Sequence, residues 1–143
     1  MTDALSSEPN PGITDIVLAV IALVRDENGR VLLASSSESG PWSCIGGGVA
    51  ESEDLASAVV RFAREDCGLT VEVGEVVAEL SGEQYRVLYE CGVNTTYRAT
   101  VYDVKLLAEG APAPLRTRWF VPSELADLDL DEFATVALAE LRL

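Results

Sequence analysis

Residues 47–69 read GGVAESEDLASAVVRFAREDCGL. Glycines open the stretch, an apolar-patterned helix follows, and the helix ends in the acidic pair Glu65 and Asp66. At about 100° per residue, Leu55, Ala56, Val59, Phe62 and Ala63 share one arc of that helix, with Ser57, Arg61 and Arg64 opposite. Asp66 falls inside the apolar arc and Glu65 on its border. A carboxylate on an inward face is costly unless a positive or hydrogen-bonding group receives it. Two readings are open. Fraying before Gly68 lets Asp66 reach water, or the paired oxygens hold a hard divalent cation such as Mg²⁺. Ser52 is the expected N-cap, with Glu53 and Asp54 in the first turn, and Gly68 is the C-terminal stop.

Working outward, Ile16–Val24 and Val31–Ala34 are strands flanking RDENGR, whose Asn28-Gly29 signals a hairpin. Trp42–Ile45 reads as a short strand ahead of a glycine turn, Gly46 to Gly48. Beyond the helix, strands are expected over Val71–Ser81, Gln84–Cys91, Thr96–Leu107 and in RTRWFV. Two helical pieces close the chain: PSELADL, capped by Ser123, and Asp131–Leu141, with Phe133, Val136, Ala137 and Leu141 facing the core. The pattern predicts an α/β layer fold of the α+β type, with helices on a mixed or mostly antiparallel sheet. Residues 1–14 read as a flexible lead and residues 15–143 as a single domain.

The 143 residues suffice for one core without disulfides or structural metal. Cys44, Cys67 and Cys91 are an odd number without a C-x-x-C pair, so reduced thiols are expected. Histidine is absent, which removes His-based zinc sites, Ser-His-Asp triads and imidazole bases. Acid–base chemistry would fall to carboxylates, Tyr, Cys, Lys105 or metal-bound water. The net charge of −14 argues against nucleic-acid polymers and anionic membranes as partners. It leaves room for a small phosphorylated ligand whose charge is offset locally. The longest apolar run, Ile16–Val24, is too short to span a bilayer and reads as a buried strand. The first residues lack a secretory pattern, so a cytoplasmic location is expected.

The opening stretch resembles the signature of the Nudix hydrolases, G-x5-E-x7-R-E-U-x-E-E-x-G-U, with U aliphatic. Laid on this chain it gives Gly47, Glu53, Arg61, Glu65, Asp66 (Asp for Glu), Gly68 and Leu69. The surroundings agree: PWSCIGGG precedes the helix and RWFVPSEL follows downstream. The resemblance implies an α/β/α sandwich with a mixed sheet between helices. It also implies hydrolysis of a nucleoside diphosphate linked to another group, using Mg²⁺ or Mn²⁺. Glu65, Asp66 and the Gly46 carbonyl would be metal ligands and Glu65 and Asp66 the catalytic acids. Glu53, Arg61 and Gly47 would form a structural brace. Many relatives dimerise, so a homodimer is possible.

The chain departs from that signature at Phe62, where the pattern has a glutamate that binds metal and in some members activates water. Downstream, APAPLRTRW carries arginines where extra acids often stand, and ASSSESG carries serines where basic residues often meet phosphates. Two accounts follow: a hydrolase holding fewer ions, with a base drawn from Glu51, Glu83 or Glu109, or a ligand-binding module without turnover. A structural or interaction domain without ligand is a third reading, disfavoured by the lack of long exposed apolar or heptad patterns. Tyr85, Arg86, Tyr89, Tyr97, Arg98 and Tyr102 are candidates to meet a base and phosphates, with Arg86 and Arg98 the expected substrate contacts. Ordinary sheet packing competes for each.

Overall fold

The computed structural model describes residues 14–82, 85–88 and 94–143. In chain order its elements are β1 (Thr14–Val24), β2 (Val31–Ser35), β3 (Ile45–Gly48), α1 (Leu55–Cys67), β4 (Thr70–Leu80), β5 (Arg86–Leu88), β6 (Asn94–Ala108), β7 (Arg116–Phe120) and α2 (Glu132–Glu140). Both alternating sets of residues in the second half of β1 are apolar, so both faces of that strand must be covered. Val20, Ala22 and Val24 pack in one core with Val59 and Ala63 of α1. Ala19, Ile21 and Leu23 pack in the other with Ala134, Ala137 and Leu138 of α2. The larger sheet runs β3-β1-β6-β4, with β5 paired to β6. β1 and β6 are parallel and the other pairs antiparallel. The fold is an α/β/α sandwich of the α+β type around a mixed sheet.

The hairpin expected at Asn28-Gly29 is only half realised. The chain reverses there, with the Asp26 carboxylate accepting from the Asn28 and Arg30 amides at 3.0 and 2.8 Å. A single bridge, Arg25 to Val31, joins the two arms, and β2 instead pairs antiparallel with β7 in a separate sheet. A turn signal sets where the chain folds back, not which distant strand completes the ladder. The apolar run is also less buried than expected, since Ile16 and Leu18 are 60% and 51% exposed.

Gly46 to Gly48 form strand β3 rather than a turn, Gly46 to Gly48 pairing with Ile21 to Ala19. The helix N-cap is Asp54, not Ser52. Asp54 Oδ2 accepts from the Ser57 amide at 3.1 Å, while Ser52 sits in the preceding turn at φ +85°. In the Pro122–Asp127 3-10 segment, Glu124 rather than Ser123 meets the free Val121 amide, at 2.8 Å. Cys44 and Cys67 are free thiols. The lead expected before Thr14, and Glu83, Tyr89 and Cys91, lie outside the described residues. Among the described residues no helix is long and apolar enough to cross a membrane.

Candidate active site

The site begins in the turn before α1. Glu53 accepts two hydrogen bonds from Arg61, Nε to Oε2 at 2.7 Å and Nη2 to Oε1 at 2.8 Å, and Oε1 also accepts from the Ala50 amide at 3.1 Å. This fork joins the turn to the helix two turns along and fixes the azimuth of α1. Both side chains are half-buried. The Arg61 hydrogen bonds, then the Ala50 amide, hold the Glu53 carboxyl down at about 2 against an ordinary 4.5. A depressed folded value means stability that is full above the ordinary range and lost as pH falls toward the folded one. Glu53→Gln is therefore expected to flatten the loss of thermal stability between pH 4.5 and 2 relative to the parent. Thermal melts across that interval check it, parallel acid limbs being the contrary result.

Arg61 also reaches the acids and the aromatic ring. Its guanidinium lies over Phe62 at 4.3 Å from the centroid, and Nη1 stands 3.8 Å from Glu65 Oε1. Phe62 extends toward β3, where a Cβ on Gly47 would meet ring carbons Cε1 and Cζ at 2.9 Å. The ring is thus seated on the glycine strand, held from above by the arginine. Gly46 is tighter still: at φ +148° its Cβ would lie 2.0 Å from the Val20 carbonyl oxygen.

The acids end the helix in different surroundings. The Glu65 side chain is 63% exposed. Asp66 is half-buried, and its backbone carbonyl accepts from the Leu115 amide at 2.9 Å. Gly68 closes the helix in the left-handed region, its amide bonded to Arg64 O at 3.0 Å. A Cβ there would collide with the Ala111 carbonyl at 2.1 Å, so the 109–115 loop lies directly against this helix end. Among the described residues no three His, Cys, Asp or Glu side chains come together.

On the α2 side of the sheet a cavity of about 220 Å³ opens against the same glycines. Gly46, Gly47 and Gly48 line it together with Cys44, Tyr97, Asp131 and Phe133. Burial, then the Asp131 carboxylate, push the Cys44 thiol up to about 12, so it stays protonated and is no nucleophile. Asp131 caps α2, Oδ1 accepting from the Ala134 amide at 2.7 Å. The chain there is pinned to Trp42 by two backbone bonds, Trp42 N to Asp129 O at 2.8 Å and Asp131 N to Trp42 O at 3.0 Å. Trp42 in turn lies under the Arg116 guanidinium at 4.4 Å.

Arg86 and Arg98 are set apart from each other. Arg86 lines a depression beside α2 with Tyr85 and Glu132. Arg98 lines another on the α1 side, with Leu18, Leu55 and Glu79. Neither lines the glycine cavity. Tyr97 does, whereas Tyr85 is buried and donates to Glu140 Oε1 at 2.7 Å, and Tyr102 packs with the α1 core. Glu51 and Glu109 are exposed. Asp131 and Phe133 are not among the site residues expected from sequence, because a helix start and a core stripe already explain them. The local hint is Asp131, an acid two positions before an aromatic at a helix start.

Comparison with known proteins settles the family. The NUDIX domain family model matches residues 15–141. The chain belongs to the Nudix family. It is 36% identical over 74 residues to the CTP pyrophosphohydrolase of Escherichia coli strain K12, a match covering 46% of this chain and 55% of that protein. The chain thus spans about half the length of the curated relative it matches. The solution structure of the E. coli ORF135 protein aligns with TM-score 0.55 at 26% identity, over 90% of this chain and 94% of that one. An ADP-ribose pyrophosphatase from Streptococcus suis aligns with TM-score 0.61 at 23% identity, over 82% and 81% of the two chains, and shares the Nudix fold.

Proposed function

We propose that this protein is a divalent-ion-dependent hydrolase that cleaves a phosphoanhydride bond in a nucleoside diphosphate derivative, with the nucleobase seated in the glycine cavity. One observation carries the reading. The edge strand β3 is at once a wall of an aromatic-lined cavity and the surface on which the acid-bearing helix packs through Phe62. A ligand rooted in the cavity and running over the side-chain-free glycines would bring its phosphates to the Glu65 and Asp66 end of α1.

The donor set suits an ion that travels with the polyphosphate. Mg²⁺ characteristically takes one or two carboxylates and completes its shell with water and substrate phosphates. Glu65, Asp66 and the Gly46 carbonyl are hard oxygens of that kind, and Phe62 removes the third acid that a protein cage would need. When bound, Mg²⁺ or Mn²⁺ supplies charge neutralisation on the phosphates. The chain itself holds the geometry: the Glu53–Arg61 fork orients α1, and the Leu115 contact and Gly68 cap fix Asp66. Tyr97 and Phe133 give the base apolar walls.

Asp131 supplies the polar contact in that seat. One of its oxygens caps α2, leaving a carboxylate edge on the cavity. A carboxylate accepts hydrogen bonds and donates none, so it favours a base bearing an amino group, as cytosine does, over uracil. The likeness to a CTP pyrophosphohydrolase makes CTP the first substrate to try. Asp131→Asn keeps the helix cap and adds a donor, and is expected to lower the CTP over UTP preference in kcat/KM about tenfold, one good hydrogen bond's worth. An unchanged preference counts against Asp131 as the base contact.

The Phe62 ring favours a second reading, a Nudix fold that binds a nucleotide without turning it over. A panel of nucleoside diphosphate derivatives with Mg²⁺ or Mn²⁺, followed for product release and for ligand-induced thermal stabilisation, separates the two. Product release supports the hydrolase, stabilisation alone supports the binding module, and neither overturns both.

A further inference from the structure

Two depressions meet at one aromatic side chain. Phe133 lines the glycine cavity of about 220 Å³ and also a second, more open one of about 420 Å³ formed with Tyr85, Arg86, Glu132 and Val136. Its ring stands between two tyrosines, one on each side. Tyr97, in the first cavity, meets it edge-on with centroids 6.1 Å apart, and Tyr85, in the second, lies at 5.3 Å with planes tilted by 53°. The side chain is half-buried, and its backbone is held at the first turn of α2 directly after the Asp131 cap.

Sizes decide what this arrangement does. Pockets for drug-sized ligands run from about 300 to 1,000 Å³. The first cavity falls below that range, and is room for one ring system rather than for a base carrying a further bulky group. The second lies within it, and the ring of Phe133 is the shared wall.

We propose that Phe133 is a specificity-determining residue: it partitions one long groove into a base seat and an outer chamber, and so restricts the enzyme to nucleotides with compact, unextended bases. This rests on the reading of the glycine cavity as the nucleobase seat. It adds that selection against extended bases resides in one side chain that touches neither phosphates nor the acids of α1. Truncating the ring joins the two volumes and gives an added aromatic group a place among Tyr85, Tyr97 and Val136. Tyr85 and Tyr97 line the two cavities from their own strands, so the opened space keeps aromatic walls for the incoming ring.

The test compares CTP with CTP carrying a benzyl group on the exocyclic N4, which keeps one N–H for a carboxylate. Dissociation constants of both nucleotides, with Mg²⁺, are measured by calorimetry for the parent, Phe133→Ala and Phe133→Leu. The parent is expected to bind CTP and to discriminate against the benzylated nucleotide. Phe133→Ala is expected to cut that discrimination at least tenfold and Phe133→Leu by less, both binding CTP more weakly than the parent because Phe133 walls the seat. The leucine variant retains most of the packing volume and keeps the test decisive if the alanine variant does not fold. Discrimination unchanged in a folded variant overturns the partition while the base seat survives. A parent that binds neither nucleotide overturns the base seat, and the partition with it. A parent that binds both equally overturns the partition alone.

Discussion

Asp66→Asn is expected to lower turnover of the best nucleotide substrate by about a hundredfold or more, with Glu65→Gln costing less. The substitution keeps size and shape and removes one charge. A divalent ion in phosphoryl chemistry contributes several kcal/mol of charge stabilisation; losing about 3 kcal/mol of it is about a hundredfold in rate. The two acids differ because their surroundings do. Asp66 is half-buried and held by its backbone, with Leu115 on its carbonyl at 2.9 Å. Glu65 is 63% exposed, and Arg61 stands 3.8 Å from its carboxylate, so part of its charge is already offset. Phe62→Glu is the converse change, expected to tighten Mn²⁺ binding because it returns a carboxylate to the same helix face. Steady-state kinetics and Mn²⁺ titration read these effects, and unfolding temperatures should barely move for the exposed Glu65. Parental rates in both acid variants would place the chemistry elsewhere.

The parts of the fold that sequence foretold are those governed by local spacing. Helix α1, its glycine stop and the residues of the Glu53–Arg61 fork lie within 23 consecutive positions, where 3.6-residue periodicity and a family signature operate together. Most of the departures from expectation share a cause, a partner distant in sequence. The cap is a local exception: Ser52 sits in the turn at φ +85° and Asp54 takes the helix N-terminus. Three glycines in a row suggest a turn, but the β1 edge recruits them as a strand. β2 left its hairpin partner for β7, some 85 positions away. The cavity needs the Trp42–Leu130 bridge to bring Asp131 and Phe133 beside Cys44 and Gly46, and no local pattern encodes that bridge. Arg86 and Arg98, the expected substrate contacts, lie apart: β6 alternation puts Arg98 on the α1 side, whereas Arg86 lies beside α2.

Gly46→Ala is expected to be the most destabilising substitution among the glycines of β3, lowering the unfolding temperature by about 10 °C or more. Two penalties coincide at this position. The backbone is held at φ +148°, a region L side chains rarely adopt, and the new methyl would meet the Val20 carbonyl oxygen at 2.0 Å. That oxygen belongs to the central strand β1, which is packed on both faces and cannot retreat. Overpacking of about 1–3 kcal/mol adds to a backbone penalty of about 1–2 kcal/mol, at about 3 °C per kcal/mol for a chain of this size. Two other glycines separate the contributions. Gly29 also has positive φ, +79°, but nothing lies within 4 Å of its Cβ position, so Gly29→Ala carries the backbone penalty alone. At Gly47 the obstruction is the Phe62 ring at 2.9 Å, and a side chain can be exchanged. Gly47→Ala should therefore fall between the other two, and Phe62→Leu in the same chain should recover much of the loss, a non-additivity expected only of groups in contact. Thermal unfolding of the three alanine variants, of Phe62→Leu alone and of Phe62→Leu combined with Gly47→Ala reads the whole series. A Gly46→Ala protein no less stable than Gly29→Ala would mean that β3 does not lie against β1 as described, and a wall of the proposed base seat would go with it.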